Sequence, residues 1–150
     1  MELERIVVGV DGSPGSLAAL GWTAGLAAKV GAEVIVVHGF EMPGLAAGLR
    51  FAAVPPNVLD EAADSARART KEALEGEWTE PLRTAGVPHR AVLLDHGGAG
   101  VIIDVADAEN AGLIVVGTRG HGGFSNLLLG SVSSHLVHHA HRPVAVIPPP

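Results

Sequence analysis

The segment LIVVGTRGHGGFSNLLLGS, residues 113–131, decides the fold because it predicts a buried strand, a long loop and the start of a helix. Its first five residues are almost all aliphatic, as in a strand that is covered on both faces. Connections between a strand and a helix in α/β units usually take about two to six residues. Residues 117–131, called here the glycine-rich loop, take fifteen, and five of them are glycine. We therefore expect this loop to hold a ligand.

Other apolar runs predict the remaining strands of a sheet. With 113–117 they make five, the others being residues 5–11, 33–40, 89–95 and 143–148. Between the strands lie segments with apolar residues at the three- and four-residue spacing of helices. Ser13 and Pro14 predict the start of the first helix, and Gly31 predicts its end. A second helical pattern runs from about residue 57 to Trp78, and Pro81 should end or kink it.

This alternation of strands and helices predicts one α/β domain over residues 1–150. Right-handed crossovers then give a doubly wound, five-stranded parallel sheet with helices on both faces. Ligands of such sheets bind beyond the carboxyl ends of the strands, where the strand order reverses. The glycine-rich loop follows a strand directly and so lies at that edge.

Composition excludes several classes of protein. The net charge is −6, and no cluster of Lys and Arg interrupts it, which argues against a nucleic-acid surface. The chain has no cysteine, so it has neither disulfides nor a cysteine metal site. No apolar run reaches the roughly 18 residues of a membrane span. We expect a soluble cytoplasmic protein without nucleic-acid or membrane partners.

The glycine-rich loop has the chemistry of an anion site. Its glycines let the backbone approach a ligand closely, and successive N–H groups in such turns bind anions. Gly130 and Ser131 then open a helix, whose N-terminus favours negative charge. Ser131 is expected either to cap that helix or to reach the anion with its hydroxyl. We also expect the apolar residues 124–129 to be buried. The alternative is a flexible linker without a ligand.

Two common phosphate motifs are absent from the sequence. A Walker A loop needs Gly-Lys-Ser/Thr, and the two lysines of the chain, Lys29 and Lys71, lie near no glycine cluster. The dinucleotide fingerprint does not follow the first strand. Arg119 is the only fixed cation of the loop. Phosphate recognition would therefore depend mainly on backbone N–H groups.

Gly117, Gly120, Gly130 and Ser131 have the spacing G-2x-G-9x-G-[ST], which resembles the phosphate-binding signature of the universal stress protein family. The resemblance extends to VVGVDGSPGS, VIVVHGF, NAGLIVVGTRG and HRPVAVIP, in the family's order. It implies the ATP-binding branch of that family and an adenine-nucleotide α-hydrolase-like fold with sheet order 3-2-1-4-5. It also implies ATP with Mg²⁺ as ligand, and homodimers formed through the last strand, 143–148.

The resemblance also assigns site residues. It implies that Asp11 lies near the ribose and phosphates, and that residues 37–39 meet the adenine. From the residues alone, Asp11 is either such a ligand or only a turn former. Gly39 departs from the aliphatic residue common in the family, and His121 from a frequent Arg or Lys. The implied nucleotide-binding set is Gly9, Val10, Asp11, Val37, Gly39, Gly117, Thr118, Arg119, Gly120, His121, Gly122, Gly123, Gly130, Ser131 and Val132.

Four histidines, His135, His138, His139 and His141, crowd the end of the fourth helical pattern. The first three share one helix face, so a metal site is the alternative interpretation. We expect none, because no carboxylate lies within this segment and protonated histidine is favoured near a helix C-terminus. His38 is expected to be a packed strand residue rather than a catalytic base.

Three functional hypotheses remain from the sequence. The first is a non-enzymatic ATP binder that acts in a stress response. The second is a slow ATPase or related hydrolase, which would want a lysine or arginine clamp that this chain largely lacks. The third is a dimeric family member without nucleotide binding. We predict no catalytic residue and favour the first hypothesis.

Overall fold

The computed structural model describes residues 2–41, 53–120 and 128–150. Its strands are β1 (Arg5–Gly9), β2 (Glu33–Gly39), β3 (His89–Leu94), β4 (Leu113–Gly117) and β5 (Val144–Ile147). Its helices are α1 (Pro14–Val30), α2 (Pro56–Glu75), α3 (Glu80–Thr84), α4 (Ala99–Ala108) and α5 (Ser131–His139). The strands form one parallel sheet in the order β3-β2-β1-β4-β5, which confirms the predicted fold.

Alternate residues of each strand supply two separate cores. In β1, Ile6 and Val8 pack on the face that α1, α2 and α3 cover, while Val7 packs on the opposite face against α4 and α5. All three side chains are fully buried. Coverage of both faces explains why the strands read as continuous aliphatic runs.

The first helix begins and ends at the predicted residues. The Ser13 side chain accepts a hydrogen bond from the Ser16 N–H at 3.3 Å, and Pro14 occupies the first turn. Gly31 ends the helix with φ of 73°, and its N–H donates to the Ala27 carbonyl at 2.8 Å. That left-handed conformation favours glycine.

The second helical region differs from the prediction. Helix α2 ends at Glu75 instead of reaching Trp78, because the backbone leaves helical geometry at Gly76, with φ −110° and ψ −97°. Pro81 does not kink α2 but lies in the first turn of the separate helix α3. Proline suits that position since the first N–H groups of a helix have no intrahelical acceptor.

The strands are up to two residues shorter at their ends than the sequence predicts. Strand β1, for example, ends at Gly9, although the Val10 N–H still donates to the Val37 carbonyl at 2.9 Å. Within the described ranges, no helix combines the length and apolarity needed to cross a bilayer.

Candidate functional site

A cleft of about 650 Å³ opens at the carboxyl ends of β1, β2 and β4. Its volume lies within the roughly 300–1,000 Å³ of small-molecule sites. The cleft brings together most residues of the predicted set: Gly9, Val10, Asp11, Val37, Gly39, Gly117, Arg119, Gly120, Gly130, Ser131 and Val132. His121, Gly122 and Gly123 lie outside the described residues.

Thr118 is the one described member of the predicted set that does not line the cleft. Its N–H donates to the Ile147 carbonyl at 3.1 Å. Its own carbonyl accepts from the Gly130 N–H at 2.6 Å and from the Ser133 hydroxyl at 2.8 Å. Thr118 therefore joins the two ends of the glycine-rich loop to each other and to β5.

Two helices begin at this cleft. Gly98 is the N-cap of α4 and Gly130 the N-cap of α5, and both line the cavity. Helix N-termini present N–H groups without intrahelical acceptors and favour anions. Of the two roles expected for Ser131, the N-cap falls to Gly130, which takes the extended conformation (φ −74°, ψ 176°), while Ser131 is the first helical residue and lines the cleft.

Asp11 forms a turn and lines the cleft at the same time. Its Oδ1 accepts from the Ser13 N–H at 2.9 Å, and its own N–H donates to the Ser16 hydroxyl at 3.2 Å. The two interpretations of Asp11 are therefore compatible, since the turn fixes the carboxylate at the edge of the cavity.

Several glycines near the cleft are explained by the protein's own packing. A β-carbon at Gly117 would lie 2.8 Å from the Gly15 carbonyl oxygen, so glycine there lets β4 approach the start of α1. A β-carbon at Gly39 would overlap the backbone of His96 and Gly97. The departure from an aliphatic residue at 39 thus accommodates the loop that follows β3.

Sequence reasoning missed seven residues of the cavity wall: Ser16, Glu41, Gly97, Gly98, Ile102, Val116 and Ser133. The Gly97-Gly98 pair before a helix was a usable signal, because it repeats the glycine-then-helix pattern of Gly130. The others reach the cleft through tertiary packing.

His38 is packed as expected, yet it also lines the cleft. Its Nδ1 lies 2.7 Å from the Val10 carbonyl oxygen. A carbonyl can only accept, so Nδ1 carries the proton and donates. The ring meets Trp78 edge to face, with centroids 5.4 Å apart.

The charge of the cleft is mixed. Among the described lining residues, Arg119 is the only fixed cation, while Asp11 and Glu41 contribute carboxylates. Within the same residues, no group of three or more His, Cys, Asp or Glu side chains is placed to hold a metal ion. Attraction for an anion must therefore come mainly from backbone N–H groups and helix N-termini.

The expected burial of residues 124–129 is wrong for Leu128, which is 92% exposed. Residues 124–127 lie outside the described ranges.

The model of the universal stress protein family matches residues 2–148 of the chain. A universal stress protein of Mycobacterium tuberculosis is 33% identical over 142 residues, which are 95% of this chain and 46% of that protein. The chain thus spans about half the length of several curated relatives that it matches. A universal stress protein of Thermus aquaticus is 33% identical over 145 residues, covering 96% of this chain and 98% of the relative.

A similar fold occurs in the solved universal stress protein of Archaeoglobus fulgidus in complex with dAMP. That structure has a TM-score of 0.65 and 26% identity, and the likeness covers 98% of this chain and 99% of the other.

Proposed function

The chain belongs to the universal stress protein family, and we propose that its cleft binds an adenine nucleotide, ATP with Mg²⁺. One observation carries the proposal. Gly117, Gly120 and Gly130 of the glycine-rich loop meet the N-termini of α4 and α5 around one cavity at the carboxyl edge of the sheet. The dAMP complex of the Archaeoglobus relative supports an adenine nucleotide as the ligand class.

The chemistry of the lining residues fits a nucleotide. In this proposal, Gly120, Arg119 and the first turn of α5 hold the phosphates, and Asp11 lies beside the ribose. Val37, Gly39 and Ile102 offer an apolar surface suited to the base. Mg²⁺ would neutralise part of the phosphate charge, and its preference for oxygen ligands suits a cleft that contains the Asp11 carboxylate.

We propose binding without efficient turnover. Phosphoryl transfer is accelerated by cations that clamp the phosphates and by a group that positions the nucleophile. The described wall of the cleft offers Arg119 as its single fixed cation, and Lys29 and Lys71 do not line it. Hydrolysis of bound ATP should therefore be very slow.

The remaining parts of the proposal concern the protein's context. We propose a single domain over residues 1–150 and homodimers formed through β5, whose four residues are half-buried at the edge of the sheet. In this proposal, nucleotide occupancy changes the behaviour of the dimer in a cytoplasmic stress response. Light scattering after size-exclusion chromatography tests the dimer.

The decisive experiment looks for nucleotide in the purified protein. Denaturation should release ATP or ADP, and Mg-ATP added to nucleotide-free protein should raise its melting temperature. At a ligand concentration of 100 times Kd, binding stabilises a protein by about 2.7 kcal/mol. Absence of both signals rejects nucleotide binding. Rapid phosphate release from added ATP would instead support an enzyme.

A further inference from the structure

A second candidate site lies on helix α5, away from its N-terminal end at the cleft. The last turns of α5 carry His135, His138 and His139, and His141 follows two residues after the end of the helix. The function proposed above uses none of them. Their contacts divide them into two pairs.

His138 and His141 each form a hydrogen bond within the protein through Nδ1. The His138 Nδ1 lies 2.8 Å from the Ser134 carbonyl oxygen. The His141 Nδ1 lies 2.7 Å from the Asp107 Oδ2 on α4. Donation from Nδ1 leaves the Nε2 of each ring able to bind a cation, but within the described ranges no ring contact joins His138 to His141, so these two rings are not placed as a pair.

The other pair, His135 and His139, is exposed and faces solvent from one side of the helix. Within the described part of the chain, neither side chain makes a hydrogen bond or an ion pair. Their rings are 4.3 Å apart between centroids, with an angle of 34° between the planes. Two imidazoles at i and i+4 on a helix form the paired-ligand arrangement of zinc-binding helices.

The separation of the rings suits coordination of one ion. Bonds of about 2.0–2.1 Å from a metal to two imidazole nitrogens, at right or tetrahedral angles, put the ring centroids roughly 4.5–5 Å apart. The observed 4.3 Å therefore needs to open by less than about 1 Å, within reach of small side-chain rotations. Leu136 and Ser133 are buried on a different side of the helix, where Leu136 packs in the core and the Ser133 hydroxyl donates to the Thr118 carbonyl.

We propose that His135 and His139 form a two-histidine site for a divalent transition-metal ion of the Zn²⁺, Ni²⁺ or Cu²⁺ class. Neutral imidazole favours these ions over Mg²⁺ and Ca²⁺, which prefer oxygen ligands. Water completes the coordination, since no third protein ligand stands beside the pair in the described ranges. This proposal replaces the expectation of no metal site, which rested on the absence of a carboxylate from the segment and on the favourable placement of protonated histidine near a helix C-terminus.

Calorimetric titration of the untagged, chelator-treated protein with ZnCl₂ and CuCl₂ tests the site. We expect saturable binding of one ion, with Cu²⁺ tighter than Zn²⁺ as in the general order of divalent metals. His135→Ala and His139→Ala should each weaken binding at least about tenfold, because loss of even an outer-shell partner of a metal ligand costs about 10–100-fold in affinity. The untagged protein should also be retained on immobilised Ni²⁺, and both variants should lose that retention.

His138→Ala and His141→Ala are the matched controls, because they remove nearby histidines whose Nδ1 atoms already have partners. Both should bind within about twofold of the parent protein. An equal loss of metal affinity in the control variants, or no saturable binding of either ion, would overturn the proposal. A single cooperative unfolding transition in each variant shows that the fold is retained, although His141→Ala should melt at a lower temperature because it loses the bond to Asp107. His135→Gln and His139→Gln repeat the comparison if an alanine variant unfolds.

Discussion

The carboxylate of Asp11 occupies the space that a β-carbon on Gly120 would need. Asp11 belongs to the turn after β1, and Gly120 lies near the start of the glycine-rich loop. The turn is fixed by the bond from the Ser13 N–H to Oδ1, at 2.9 Å, so the carboxylate has a defined direction. Glycine at position 120 therefore lets an acidic side chain and the loop backbone share one side of the cleft.

Gly120→Ala should displace that carboxylate and weaken nucleotide binding. The φ of Gly120 lies outside the positive range that favours glycine, so the backbone at this position accepts alanine. Only the end of the Asp11 side chain has to move, and we expect little loss of stability. Affinity for Mg-ATP, measured by calorimetry, should fall about tenfold, which corresponds to about 1.4 kcal/mol.

Gly100→Ala is the control for this change. Gly100 lies in α4, and a β-carbon there would meet no atom within 4 Å. Its affinity should equal that of the parent protein. An unchanged affinity in Gly120→Ala would show that the Asp11 carboxylate does not contribute to the site.

Gly39 and Gly25 should respond to alanine in opposite directions. A β-carbon at Gly39 would lie 2.5 Å from the His96 carbonyl oxygen, and such overpacking costs about 1–3 kcal/mol. Gly25 lies in the middle of α1 with open space around it, so alanine there should stabilise the protein by about 0.5–1 kcal/mol. Urea unfolding measures both changes. Similar free energies for the two variants would contradict the close approach of residues 39 and 96.

The parts of the fold that were predicted correctly depend on local patterns. The aliphatic runs, the Ser13 cap and the terminal Gly31 each involve residues that are neighbours in sequence. The order of the strands in the sheet does not follow from such local patterns. It was predicted from the resemblance to the family.

The predictions that were incomplete or wrong concern residues whose contacts lie with residues distant in sequence. Gly117 and Gly39 do line the cleft, but the close approach of Gly15 and of Gly97, which also requires glycine at these positions, was not predicted. Ser131 resembled an N-cap, but the bond between Gly130 and Thr118 sets where α5 begins. No spacing rule in the sequence reports such contacts.

Ser133→Ala should loosen the junction between β4 and α5. Ser133 is 2% exposed, and its hydroxyl donates to the Thr118 carbonyl at 2.8 Å. That carbonyl keeps its bond from the Gly130 N–H, so we expect a loss of about 0.5–1.5 kcal/mol in urea unfolding. Nucleotide affinity should fall less than in Gly120→Ala, because the Asp11 carboxylate is not displaced. Ser134→Ala, the adjacent hydroxyl, is the control, and an equal loss there would show that the bond to Thr118 adds no stability.

Trp78 should report nucleotide binding by a change in fluorescence. Its indole packs on Gly12, next to Asp11, and against the ring of His38, which lines the cleft. The chain has one other tryptophan, Trp22, which is 45% exposed on α1. Trp22→Phe should keep the response to Mg-ATP, and Trp78→Phe should abolish it. A response that survives only in Trp78→Phe would place the ligand elsewhere.

Asp107→Asn should make the stability of the protein less dependent on acid pH. The hydrogen bond from His141, followed by that from Arg142, lowers the pKa of the Asp107 carboxyl below its ordinary value. A carboxyl with a lowered pKa in the folded state stabilises the protein above its unfolded pKa of about 3.9 and loses that contribution as the pH falls through the folded pKa. Parent and variant should therefore differ in unfolding free energy at neutral pH and converge in acid. Asp104→Asn, an exposed position on the same helix without these contacts in the described ranges, should not show this convergence. A difference between parent and Asp107→Asn that persists at the lowest pH would mean that the side chain acts through packing instead of charge.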